Sequence, residues 1–298
     1  MGVATKSCAQ PDYPLAGVIT APVPFYQQWV LAKAKTNALG FAYNAKLVLS
    51  NIDLVLSSYR KKYNTAASQV DIVAHSMGGV VTRTLENLPG YRAESYAAGT
   101  INKLITIGTP HLGSPIATQI MEDENICPRG IMALMENISL ISATVDGSPV
   151  NGAMLDLRGD GWGGGLSPVL LELKGATHLP TALIAGEMSS TNLNGLNAWD
   201  SPSRAIVAAC PGRLANSMTA DGWPTIFGQP SDAIVPRASQ LANFNSDVTE
   251  IASLIHSQGV AKLGFSGPYE LEQAGTVPAT VINLLNLSSQ AAKFHPLY

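Results

Sequence analysis

Ser76 is the residue of this chain best placed to do chemistry. It follows the β-branched run Val70-Asp71-Ile72-Val73-Ala74-His75 and precedes Met77-Gly78-Gly79-Val80-Val81, which has helical character. A serine on so sharp a strand-to-helix turn exposes its Oγ above the sheet. The residues two before and two after it pass close together, so both must be small, as Ala74 and Gly78 are. A helix starting after Ser76 aims its first N–H groups and positive dipole end at the same point, where charge on an oxygen would be stabilised. The Met77 N–H is therefore an expected oxyanion donor. The chemistry implied is attack of an activated hydroxyl on an acyl carbon. The competing reading is a Gly-rich turn with a capping serine. The position between strand and helix favours the nucleophile.

An activated serine needs a base, and the base needs an orienting carboxylate. The chain has five histidines: His75, His111, His178, His256 and His295. His75 adjoins Ser76, but neighbours on a strand point to opposite faces, so it is not expected to be the base. No HExxH motif and no i, i+4 histidine pair occurs, so neither a metal site nor a cofactor is expected. The carboxylates to weigh are Glu187, Asp221 and Asp232.

The elements that must position these groups can be read from periodicity. Val48, Ile52, Val55, Leu56, Tyr59 and Tyr63 trace one face of a helix over 45–63. Apolar runs at 70–75, 103–108 and 181–186 predict buried strands. Residues 78–88 predict a second helix ending near Pro89 and Gly90, and 277–294 a terminal helix. This alternation predicts an α/β fold, a mostly parallel sheet with helices on both faces. Residues 1–298 read as one domain. The span 112–180 interrupts the alternation and predicts a cap or lid insertion. Inside it, IMALMENISLIS (131–142) is apolar, with Met132, Leu134, Met135 and Ile138 suited to flexible apolar substrates or to plain core packing. Residues 189–230 form a second long, turn-rich stretch.

AHSMGG after a strand, followed by KLITIGTPHLGSPIA (103–117), resembles the bacterial lipases and PGAP1-like serine esterases of the α/β-hydrolase superfamily. GAMLDL (152–157), LPTALIAG (179–186) and SDAIVP (231–236) are looser matches, so the resemblance covers about residues 42–260. Ala74 departs from the glycine most members carry. The resemblance implies an α/β-hydrolase fold and a triad in the chain order serine, acid, histidine. Only His256 and His295 follow the candidate acids. His256 leaves room for a closing helix behind it, whereas His295 lies at the tail. SDAIVP resembles the acid loop, which favours Asp232 over Glu187 and Asp221. His111 matches a position near the site entrance and is expected to brace a loop; His178 is expected at the surface. The family's N-terminal strand ends in His-Gly, and the next loop gives a second oxyanion donor. This chain has no His-Gly, and Gly17–Thr20 is the candidate strand. Some similar lipases hold calcium, but no carboxylate cluster here supports carrying that over. The implied activity is carboxylic-ester hydrolysis, with a non-catalytic hydrolase-like module or an acyltransferase or amidase as alternatives. The implied partner is a small-molecule or lipid ester, with interfacial contact through the lid.

Composition narrows the classes further. Of 298 residues, 46% are hydrophobic and 13% charged, which rules out a disordered chain. The net charge of −3 and scattered Lys and Arg argue against a nucleic-acid partner. No apolar run is long enough for a transmembrane helix. The first residues, MGVATKSCAQ, lack an apolar signal region, so secretion would require a signal already removed. Cys8, Cys127 and Cys210 allow at most one internal disulfide, with Cys127–Cys210 weighed against three free thiols.

Overall fold

The computed structural model describes residues 38–91, 99–122, 142–143, 149–150, 152–159, 165–174, 178–189, 229–257, 267–272 and 275–297. Helix α1, Phe41–Tyr63, starts four residues before the expected boundary. Its start has no side-chain cap of its own. Instead the Phe41 N–H donates to Asp156 Oδ2 at 2.7 Å, a cap delivered from a distant segment. Arg60, Lys61 and Lys62 occupy the last turn, where cations suit the dipole, and Asn64 closes it at φ 50°. Phe41, Ala45, Ile52 and Leu56 form its buried face.

Strand β1 spans Val70–His75 and helix α2 spans Met77–Thr84, with one 3₁₀ turn at Leu85–Asn87. Strand β2 is Ile101–Ile107. Helix α3, Pro115–Glu122, precedes two short strands, β3 (Ser142–Ala143) and β4 (Pro149–Val150), which pair antiparallel. Helices α4 (Gly152–Asp156) and α5 (Pro168–Leu173) follow. Strand β5 is Thr181–Glu187, α6 is Arg237–Gln240, β6 is Thr249–Ala252 and α7 is Thr276–Leu285.

Among the described residues, four strands make one parallel sheet in the order β1-β2-β5-β6. Side-chain alternation feeds several buried clusters. Ala74 and Leu104 pack with Phe41, Val80, Met154 and Leu170 under α1, α2, α4 and α5. Ile105, Ala182 and Ile184 pack with Val277, Leu284 and Phe294 under α7. Helices on both faces of a parallel sheet give the α/β arrangement expected from sequence. The four strands of this sheet run in one sense, so their carboxyl ends open on one rim, and the loops there can build a site.

One expectation is refined. The terminal helix stops at Leu285 rather than continuing to 294. The buried Lys103 of β2 donates to the carbonyls of Leu284 (3.3 Å) and Leu285 (2.7 Å), capping the helix end, and turns follow. Within 112–180, the described ends belong to the main core: Met154, Leu157, Leu170 and Leu173 are buried there. Gly113 and Gly159 pack backbone to backbone, where a Cβ on either would collide. The apolar 131–141 stretch, the candidate strand Gly17–Thr20, Asp221 and all three cysteines lie outside the described residues.

Candidate active site

The nucleophile candidate is set by consecutive residues. The Ser76 N–H donates to Ile107 O at 2.9 Å, continuing the β1–β2 ladder one step beyond the strand. The chain then reverses: Ser76 has φ 53° and ψ −135°, and its carbonyl accepts from Gly79 N–H at 3.0 Å as α2 begins. A non-glycine residue in this region costs about 1–3 kcal/mol and persists only when its surroundings enforce it. Ala74, Gly78 and Gly79 are all buried. A Cβ on Gly79 would collide with Thr109, so the helix can approach β2 this closely only with glycine there. Met77 is the first residue of α2, where N–H groups lack an intrahelical acceptor.

The other groups arrive from loops at the same rim. His256 Nε2 lies 2.8 Å from Ser76 Oγ, and His256 Nδ1 lies 2.7 Å from Asp232 Oδ2. Ser76, His256 and Asp232 are thus brought together in a hydrogen-bonded row. Asp232 Oδ1 accepts from the N–H groups of Ile234 (2.9 Å) and Val235 (2.7 Å), the residues of SDAIVP that follow it. The His256 N–H donates to the Asp232 carbonyl at 2.9 Å, so acid and histidine loops are tied by backbone as well as side chain. Burial pushes the Asp232 carboxyl up to about 6 against the opposing His256 charge, and the Glu270 charge adds to that rise.

The acid loop is braced from GTPHLGS. Ser114 Oγ donates to Ile234 O (2.9 Å), and Ser239 Oγ donates to Gly113 O (2.6 Å). Buried Gln240 donates to Gly186 O and Val235 O and accepts from Gly186 N–H at 2.8 Å.

The remaining candidates fall elsewhere. His111 is buried between Arg83 Nη1 (3.2 Å) and Thr106 Oγ1 (3.1 Å). Burial, then the Arg83 charge, holds it well below the usual imidazole range, so it is a neutral structural bridge rather than an entrance residue. His295 pairs through its backbone with Thr181, at the opposite end of β5 from the site, and stacks on Phe244. His178 is exposed. Glu187 ends β5, but both His256 ring nitrogens are taken by other groups.

Sequence reasoning missed Glu270. Its carboxylate is fully buried, with Oε2 at 2.8 Å from His75 Nε2 and 3.3 Å from His256 Nδ1. Nothing in the polar stretch Tyr269-Glu270-Leu271-Glu272 marks it. The alternation that turns His75 away from Ser76 also turns it toward Glu270. His75, His256 and Glu270 are a donor set of a kind metals use, with ligand atoms within 4.8 Å of one another. The 2.8 Å His75–Glu270 contact is a hydrogen bond, the 3.3 Å His256–Glu270 contact is an ion-pair distance, and His256 Nδ1 is hydrogen-bonded to Asp232.

Residues 39–125 match the family described as the PGAP1-like alpha/beta domain. The chain is 31% identical over 106 residues to "GPI inositol-deacylase A" of Yarrowia lipolytica, which is 35% of this chain and 8% of that protein. It is 48% identical over 50 residues to "GPI inositol-deacylase" of Phaeosphaeria nodorum, 17% of this chain and 4% of that one. The matches therefore span less than a tenth of these curated relatives. Among solved structures, Bacillus licheniformis lipase BlEst2 in mature form aligns with a TM-score of 0.43 and 14% identity, over 84% of this chain and 76% of that one.

Proposed function

We propose that this chain is a serine carboxylic-ester hydrolase that works through an acyl-enzyme. The observation carrying the reading is the Ser76–His256–Asp232 row, built on a serine at φ 53° between strand and helix. Asp232 accepts the Nδ1–H of His256, which leaves Nε2 free to take the Ser76 proton. Ser76 Oγ attacks the ester carbonyl, and the Met77 N–H at the start of α2 stabilises the oxyanion. Imidazolium then protonates the leaving alcohol. A water activated by His256 hydrolyses the acyl-enzyme and restores Ser76.

The names of the matched relatives support an acyl ester of a lipid as the substrate class, since a deacylase removes an acyl group. The match falls on the segment that bears Ser76. A fluorophosphonate probe tests the reading. The full chain should be labelled at Ser76, and p-nitrophenyl esters should be hydrolysed, with the rate profile over rising chain length giving acyl preference. A chain that takes no label and hydrolyses no ester overturns the proposal.

A further inference from the structure

The proposed reaction uses one carboxylate, yet His256 Nδ1 has two in reach: Asp232 Oδ2 at 2.7 Å and Glu270 Oε2 at 3.3 Å. We infer that Glu270, gripped by His75, is a positioning residue that sets the pH at which His256 becomes able to accept the Ser76 proton. The inference rests on the hydrolase reading of Ser76.

Glu270 is placed by the fold. Its N–H donates to Ile255 O (3.1 Å) and the Ile255 N–H donates to Pro268 O (3.1 Å), so the segment 268–270 runs beside the histidine loop. The carboxylate lies against the carboxyl ends of β2 and β5, at two glycines. A Cβ on Gly108, which has φ 54°, would collide with Oε2, and one on Gly186 would sit 2.6 Å from Oε1. Any other residue at these positions would displace the acid.

The hydrogen bonding fixes which oxygen accepts. His75 Nε2 faces both Glu270 Oε2 (2.8 Å) and the His256 carbonyl (3.0 Å). A carbonyl can only accept, so Nε2 carries the hydrogen and Glu270 presents an unprotonated oxygen. That same oxygen faces His256 Nδ1. Asp232, Glu270 and His75 are the titratable groups facing His256 among the described residues. The two acids are the carboxylate partners, while burial chiefly lowers the His75 imidazole, whose ring lies 4.7 Å from the His256 ring. Burial would raise the Glu270 carboxyl, but the His256 charge and the histidine hydrogen bonds hold it down to about 2. Burial would lower His256, but the Asp232 and Glu270 charges overcome it and raise the imidazole to about 10.

The sign follows. Only neutral His256 can take a proton from Ser76, so a second anion moves the rise of activity to the alkaline side of the ordinary histidine value. Removing that anion moves it back toward acid.

The test is an NMR titration of the His256 ring, which needs no turnover, beside the pH dependence of kcat/KM. In the full wild-type chain, His256 should titrate above the ordinary value of about 6.5. Glu270→Gln should lower that midpoint by about one to three units and shift the lower limb of kcat/KM by the same amount. Glu270→Asp keeps the charge and should stay nearer wild type. A wild-type midpoint at or below the ordinary value overturns the inference, even if the Gln variant does not fold. An unmoved midpoint in a folded Gln variant does the same. Failure of Ser76 to label at any pH, with His256 titrating as stated, overturns the hydrolase reading instead.

Discussion

The two halves of the candidate site are built in different ways. The nucleophile half is one continuous unit: β1, the Ser76 turn and α2 occupy Val70–Thr84. Its geometry follows from residue sizes at adjacent positions. The acid–base half is drawn from separate stretches, Gly108, Gly186, Asp232 with Gln240, His256 and Glu270, and touches the first half only where His75 of β1 meets Glu270. The first half needs only local sterics. The second needs the sheet in register before the hydrogen bonds between its stretches can form. The family match follows this division, covering residues 39–125 and none of Asp232, His256 or Glu270.

Damage to each half should therefore read differently. Breaking the nucleophile half should remove turnover at every pH: Ser76→Ala should cost on the order of 10⁶ in kcat, with thermal unfolding unchanged. A retained few per cent of wild-type rate in a clean preparation would show that Ser76 is not the nucleophile. Breaking the acid–base half should be milder. Asp232→Asn should cost about 10⁴ or less, because Glu270 Oε2, 3.3 Å from Nδ1, is placed to take over the Nδ1–H and preserve part of the tautomer preference. A loss equal to that of Ser76→Ala would deny Glu270 any share. Gly79→Ala should destabilise by about 1–3 kcal/mol in denaturant unfolding, since its Cβ meets Thr109 in a packed interior. Arg237→Ala should be smallest. It breaks a half-exposed ion pair with Glu250, worth about 0.2–1 kcal/mol, and should leave kcat/KM unchanged at every pH.

The same division governs what the sequence discloses. The limits of β1 match the apolar run VDIVAH residue for residue, and the elbow is readable from Ala74, Ser76 and Gly78. Strands β2 and β5 are likewise visible as apolar runs. The end of α7 is not, because apolar periodicity continues while the cap comes from Lys103, more than a hundred residues away in sequence. Glu270 and Gln240 have no local signal at all. Each is an ordinary polar residue in a polar stretch until the sheet brings Gly186 against it. His75 shows the limit of a correct local rule: strand parity gives the direction of its side chain and says nothing about which group waits there.

Gln240 carries one more consequence. Beyond Ile184, β5 has no β2 residue paired with it, and the Gln240 carboxamide offers Gly186 both an acceptor and a donor, as a neighbouring strand would. The Gly186 amide is thereby sealed by a side chain. Its proton should exchange with deuterium at the slow rate of the sheet centre rather than at the rate of a fraying strand end. Exchange at this one amide would then report how often the rim beneath Asp232 opens, a clock for the site that runs without substrate.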